Sequence, residues 1–278
     1  TASPMPRWSN GYGQGSIAMN DSPIGVYDSG LGGLTVWREL RRLLPHESLL
    51  FLGDGKNCPY GARPREEICR LADEAVGRLV ALGCKLIVVA CNTATAAAID
   101  FLRAKYASLP IVGMEPAVKP ACLHTRSGVV GVLATERSLD GELFRRTAAR
   151  YGRDVEIVTL PGRGFVELVE SDLEDSPAAE ACVRPLVEEM IGRGADQIVL
   201  GCTHYPFLRA TIERIAAGHG VEIVDPSPAV ARRVEQLLDQ GALRAAPDAE
   251  PVLEFITFAD EDYRLKLKRK AEAVDPLR

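Results

Sequence analysis

Two stretches of this chain place a thiol at the same kind of junction. Residues 87–98, IVVACNTATAAA, run an apolar strand into Cys91, a polar pair and an alanine-rich helical segment. Residues 198–206, IVLGCTHYP, repeat the arrangement around Cys202. A cysteine at the carboxyl end of a strand, with helix amides behind it, can be reactive, whereas one in a core packs as a small hydrophobe. Its ordinary pKa of about 8.5 falls beside a helix dipole and a cationic neighbour, and His204 is the obvious neighbour of Cys202. Repetition of the strand-Cys-polar-polar unit favours chemistry over packing. Lifting a proton from carbon and returning it to the same face gives exchange without inversion, but a second acid on the opposite face gives the mirror-image product. That task wants two thiols, one ionised and one protonated, in environments that resemble each other.

Other thiol chemistries fit less well. A Cys-His hydrolase would use one cysteine and leave the second Cys-Thr-His unit unexplained. Zinc wants three or four ligands, and only Cys202 and His204 stand close together in sequence. Around the cysteines, Asn92, Thr93, Thr203 and His204 could cap helix amides or hold a substrate's carboxylate or ammonium group. The loop YDSGLGG, residues 27–33, is either a tight turn capped by Asp28 or Ser29, or a close backbone approach to an anion. CPYGARP, residues 58–64, is a turn that could present the Tyr60 phenol and the amide of Gly61 to a cleft.

Short apolar runs alternate with helical spacing, which predicts βαβ units around mainly parallel sheets. The predicted strands are 24–27, 49–53, 86–90, 110–113, 128–133, 155–160, 197–201 and 221–225. Leu34, Trp37, Leu40 and Leu44 recur at helical intervals, as do Leu71, Ala75, Leu79 and Leu82, and a helix is expected to begin after Pro64. KLIVVACNTA is echoed by DQIVLGCTHYP, IVGMEPAV by IVDPSPAV about 110 residues later, and IGVYDSG more weakly by VGVLATE. A period that long fits a duplicated domain. The expected fold class is α/β: two pseudo-symmetric domains, each a mainly parallel sheet flanked by helices. The active site is expected in the interdomain cleft, beyond the carboxyl ends of the strands. Residues 22–116 plus 226–270 are expected to form the first domain and 117–225 the second. Residues 1–20, rich in Gly, Pro, Ser and Asn, read as a flexible extension.

A chain of 278 residues with formal net charge −5 has no global basic field, so nucleic acid is not expected as the main partner. The basic run YRLKLKRK, residues 263–270, reads as a solvated helix face or an interaction tail. Seven cysteines without a C-x-x-C pair do not form a disulfide framework, which points to a reducing cytosol. With no run of 18 apolar residues, no membrane helix is expected.

The ordered markers YDSGLGGLTV, CPYGAR, ACNTA, VGMEPAVKPA and LGCTHYP closely resemble those of the glutamate racemases over roughly residues 22–235. The resemblance implies cofactor-independent, metal-free interconversion of L- and D-glutamate for bacterial peptidoglycan, by a cytoplasmic enzyme that is often a homodimer. It implies Cys91 as the base acting on D-glutamate and Cys202 as the base for L-glutamate, with His204 as helper. Asp28, Ser29, Tyr60, Gly61, Asn92, Thr93 and Thr203 are implied as substrate contacts, Asp28 also standing near the first cysteine. Where the family usually has Cys-Pro followed by FVPLVE, this chain reads LPGRGFVELVES: Glu170 keeps the family's acidic position, but Glu167 replaces a proline. A racemase for another amino acid, a one-thiol hydrolase or lyase, and a silent binding protein are the remaining readings.

Overall fold

The computed structural model describes residues 20–277, so the expected flexible extension lies outside the described residues except for Asn20. The chain opens with β1 (Ile24–Asp28), α1 (Leu34–Leu43), β2 (Leu49–Gly53), α2 (Arg65–Ala81), β3 (Leu86–Val89), α3 (Asn92–Lys105) and β4 (Ile111–Gly113). It continues through α4 (Val118–His124), β5 (Val129–Ala134), α5 (Glu136–Leu139), α6 (Glu142–Tyr151), β6 (Glu156–Pro161), α7 (Phe165–Glu170) and α8 (Pro177–Gly192). Then come β7 (Gln197–Gly201), a 3-10 turn (Tyr205–Leu208), α9 (Arg209–Ala216), β8 (Glu222–Val224), α10 (Ser227–Gln240), β9 (Leu253–Thr257) and α11 (Glu261–Val274).

Two separate parallel sheets result, one in the order β4-β3-β1-β2-β9 and the other β6-β5-β7-β8. Read from its other edge, the second sheet is β8-β7-β5-β6, in which the echoes of β4, β3 and β1 keep the order of the originals and β6 stands where β2 does. The repeated segments therefore occupy equivalent positions: β3, which ends before Cys91, corresponds to β7, which ends before Cys202. The strand β9 is extra, and no strand was predicted there. LEFIT is a half-buried edge strand in which Phe255 alone is buried.

β1, β2, β3 and β7 are buried along their whole length, as strands covered on both faces must be. The predicted helix face of α1 is buried at Leu34, Trp37 and Leu40, and Trp37 packs against Phe255 with ring centroids 5.8 Å apart. α2 starts directly after Pro64, whose fixed φ suits a helix start, and buries Leu71, Ala75 and Leu79.

A buried ion pair ties four segments of the first sheet's base together. Lys85, just before β3, lies 2.6 Å from Glu47, just before β2, and both side chains are almost wholly shielded. Glu47 also accepts the Ala245 amide at 2.9 Å, and Lys85 donates to the Asn20 carbonyl, so the returning chain and the entry to β1 are fastened at the same point. Removing the cation strands a carboxylate in a dry site. Lys85→Met is expected to lower unfolding free energy by about 3–5 kcal/mol in urea titrations, and a loss below about 1 kcal/mol would mean that the pair is not holding these segments.

Candidate active site

Cys91 follows β3 and is itself the N-cap of α3: the Ala94 amide donates to its sulfur at 3.4 Å. The thiol in turn donates to Ser29 Oγ at 3.4 Å. Burial first, then the nearby Asp28 charge, push the Cys91 thiol up to about 12, against the Ser29 and Ala94 hydrogen bonds. Cys202 follows β7, and its sulfur faces His204 Nδ1 at 3.9 Å. Both cysteines line one cavity of about 170 Å³, together with Ser29, Tyr60, Gly61, Asn92, Thr93, Thr203 and His204. The cavity draws its walls from the carboxyl ends of strands in both sheets. A larger open groove beside β4 and α10 contains none of these residues.

His204 does not stand alone. Its Nε2 donates to Glu170 Oε1 at 2.7 Å, and the same oxygen accepts the Leu31 amide at 2.8 Å. Burial disfavours the imidazolium, but hydrogen bonds to Cys202, Cys58 and Glu170 outweigh it and raise the His204 pKa well above its ordinary value. Burial likewise works to raise the Glu170 pKa, and the His204 hydrogen bond and charge, the Leu31 amide and Tyr263 overcome it, leaving that carboxyl below its usual range. The His204–Glu170 pair therefore sits against Cys202, with Nδ1 facing the sulfur.

The glycine-bearing loop after β1 makes this arrangement possible. A Cβ on Gly30 would stand 2.1 Å from Glu170 Oε1, and one on Gly32 would stand 2.4 Å from His204 Nδ1. These glycines are needed for close approach of side chains from the second sheet's half. Asp28 is fully buried and does not line the cavity. It accepts the Gly30 amide at 3.2 Å and the Thr203 hydroxyl at 3.2 Å, fastening one cysteine's neighbour to the other half. Burial raises the Asp28 pKa, against the opposing His204 charge and the Gly30 and Gly33 amides. Glu170 also stays behind the cavity wall and reaches it through His204.

Among the other expected contacts, the Tyr60 hydroxyl donates to Asp54 at 2.6 Å and receives the Tyr27 hydroxyl at 2.9 Å, so its ring rather than a free phenol faces the cavity. Gly61 lies against Thr135 of the second half. Thr93 Oγ1 sits 3.0 Å from Thr135 Oγ1 and 3.4 Å from Ser138 Oγ, closing a hydroxyl cluster across the seam. Asn92 donates to the Met114 carbonyl at 3.4 Å, while its side-chain oxygen is buried with no hydrogen-bond partner among the described residues. A buried unsatisfied acceptor beside this cavity fits an ammonium donor from a ligand. Cys91 and Cys202 hold equivalent positions, but their partners differ: two residues on, one has Thr93 and the other His204.

Sequence reasoning missed several groups. Thr135 occupies the place in VGVLATE that Ser29 occupies in IGVYDSG, so the weak echo was its signal. Arg163 pairs with Glu136 at 2.8 Å at the cavity wall, and Glu167 lines the same wall without breaking the His204–Glu170 contact. Cys58 Sγ lies 3.6 Å from Glu170 Oε1, and its thiol is pushed up to about 12, mainly by burial. Cys58, Glu170 and His204 are the metal-capable trio among the described residues, their ligand atoms all within 4.8 Å, although His204 and Glu170 already bond each other. No helix among the described residues is long and apolar enough to cross a membrane.

Two echoed parallel sheets, each delivering a cysteine to one shared cavity, define the architecture of a two-lobed amino-acid racemase. The chain belongs to the Asp/Glu/Hydantoin racemase family, which it matches over residues 34–234. A glutamate racemase of Herpetosiphon aurantiacus is 45% identical over 254 residues, covering 91% of this chain and 99% of that protein. The crystal structure of the glutamate racemase isoform RacE1 from Bacillus anthracis superposes with a TM-score of 0.81 at 30% identity, covering 91% of this chain and 94% of that one. That of a Francisella tularensis glutamate racemase in complex with D-glutamate superposes with a TM-score of 0.78 at 26% identity, covering 92% and 94% of the two chains.

The pair at His204 carries a pH signature. A raised histidine pKa stabilises the fold fully below its ordinary value of 6.5, and that contribution is lost as pH climbs through the folded value. A lowered glutamate pKa stabilises fully above 4.5 and is lost as pH falls through the folded value. The Tm difference between the parent protein and Glu170→Gln is therefore expected to be widest between those two ordinary values and to shrink toward alkaline pH. A difference independent of pH would contradict the charged pair.

Proposed function

We propose that this protein racemises glutamate through Cys91 and Cys202, working from opposite faces of the α-carbon. The observation that carries the reading is the placement of both thiols, at equivalent strand ends of two echoed sheets, on the wall of one small cavity. The names of its relatives supply the substrate, glutamate. In the L-to-D direction the Cys202 thiolate takes the α-hydrogen as a proton, and the Cys91 thiol, kept protonated by burial, delivers its own to the other face. The sulfurs finish with exchanged protonation states, ready for the reverse direction. His204 presents a proton and a positive charge to Cys202.

The α-hydrogen of an amino acid is weakly acidic, so the negative charge formed on its removal must be met by fixed donors in a site that excludes water. Ser29 and Thr93, both hydroxyl-bearing, line the cavity, the Ala94 amide meets the Cys91 sulfur, and the free Asn92 oxygen suits the substrate's ammonium group. Asp28 and Glu170 act from behind, positioning Thr203 and His204. Supply of D-glutamate to peptidoglycan, a cytoplasmic setting and a homodimer belong to the same proposal. So does the division of the chain into 22–116 plus 226–270 and 117–225, which the strand membership of the two sheets supports.

The test is incubation with L-glutamate in heavy water. The D-glutamate formed is expected to carry α-deuterium, and Cys91→Ala and Cys202→Ala are each expected to lose racemisation by at least about a thousandfold, as for removal of an acid/base group. Full turnover retained by either variant would refute the two-thiol assignment. Activity on aspartate in place of glutamate would redirect the substrate.

A further inference from the structure

The basic run at residues 263–270 has a role that its composition conceals. It lies on α11, which packs on α1 and β9 and buries Leu267 and Ala271 in the first sheet's half. From there it reaches across to the segment that ends α7. Tyr263 Oη donates to Glu170 Oε2 at 2.9 Å, and Lys266 Nζ donates to the backbone carbonyl of the same residue. Lys266 and Lys270 also pair with Asp172, at 3.2 and 2.6 Å, and Lys270 with Glu174. Asp172 itself holds a left-handed φ of +57, a conformation that few residues other than glycine adopt. The Tyr263 ring is locked against Gly55, where a Cβ would stand 2.3 Å from the ring. Burial, followed by the Glu170 charge, raises the Tyr263 pKa, so the phenol stays a donor.

Glu170 thus has every strong contact accounted for. Oε2 takes Tyr263; Oε1 takes Leu31 and His204; the main-chain carbonyl takes Lys266. His204 then faces Cys202 and has no counterpart at Cys91, which meets Ser29 and the Ala94 amide instead. We propose that Tyr263 is a positioning residue for the Cys202 face of the reaction, the C-terminal helix acting as a strap that orients His204 through Glu170. This rests on the two-thiol racemase reading. A strap anchored to one sheet and pulling on a residue of the other makes the Cys202 face competent only while the two halves are in register, whereas Cys91 needs no such help.

Racemisation uses both thiols in each direction, so the test needs a reaction that uses one. With 3-chloroglutamate of threo configuration, the base on one face takes the α-proton, the C–H electron pair forms the Cα=Cβ bond, and chloride leaves with the C–Cl pair. The enamine then tautomerises, and water releases ammonium and 2-oxoglutarate. The L isomer reports on Cys202 and the D isomer on Cys91. Tyr263→Phe, which keeps the ring against Gly55, is expected to lower kcat for the L isomer about tenfold, the order expected for losing one hydrogen bond to a charged group, with KM little changed. Elimination from the D isomer is expected to stay within about twofold, since no Glu170-type relay serves that face. Lys266→Met is expected to show the same one-sided loss and keeps the test available should the tyrosine variant fold poorly. Equal losses with both isomers, or none with either, would overturn the positioning role. Failure of the parent protein to release chloride from either isomer would overturn the racemase reading itself.

Discussion

A proton lifted from one face of a carbon and delivered to the other requires two groups that converge from opposite directions, and no single strand end can supply both. Parallel sheets present side chains at the carboxyl ends of their strands. Two such sheets, with their strand ends meeting at a shared cavity, meet the geometric demand with one repeated design. The order β4-β3-β1-β2 recurs as β8-β7-β5-β6, so Cys91 and Cys202 arrive by the same local path. The remaining features of the site maintain that convergence. Thr203 bonds Asp28 across the seam, Thr93 meets Thr135, and Glu170 takes the Leu31 amide, each joining one half to the other next to a cysteine.

The repeat is faithful in backbone and unequal in chemistry. The side chain two residues beyond each cysteine is threonine in one half and histidine in the other, and the difference propagates outward. A histidine beside Cys202 needs a partner for its second nitrogen, which Glu170 supplies, and Glu170 in a buried site needs further donors, which Leu31 and Tyr263 supply. Gly30 and Gly32 leave the space that these groups fill. Cys91 has lighter support, and burial pushes its thiol up to about 12. The likeness expected of the two thiols' surroundings therefore holds for placement and not for the neighbouring charged groups, since His204 and Glu170 have no counterpart at Cys91.

Much of this was legible in the residues. The predicted strands coincide with observed ones to within one or two positions, and four of them, β1, β2, β3 and β7, are continuous apolar runs because they are buried on both faces. The thiol pair was visible because duplication repeats both strand and cysteine. Three kinds of information were not visible. β9 pairs on β2 at the sheet's edge with one buried residue, Phe255, and that pairing is made by chain about 200 positions away from β2. Asp28 and Glu170 could be placed near the site by resemblance, but only the packing reveals that they stand behind Thr203 and His204 and bond to them. The C-terminal basic run looked like a solvated face, since nothing local in YRLKLKRK says that Lys266 and Lys270 meet Asp172, or that Tyr263 meets Glu170, more than 90 positions earlier. Long-range pairing between polar groups has no periodicity to betray it.

The central claim concerns where two sulfur atoms stand relative to one carbon. A crystal structure of the protein with glutamate bound tests it most directly. The account predicts Cys91 Sγ and Cys202 Sγ each about 3.5 Å from the α-carbon, within reach for proton transfer, on opposite faces of the plane defined by its other substituents. A bound glutamate with both sulfurs on one face, or with either too distant to exchange a proton with that carbon, would contradict it.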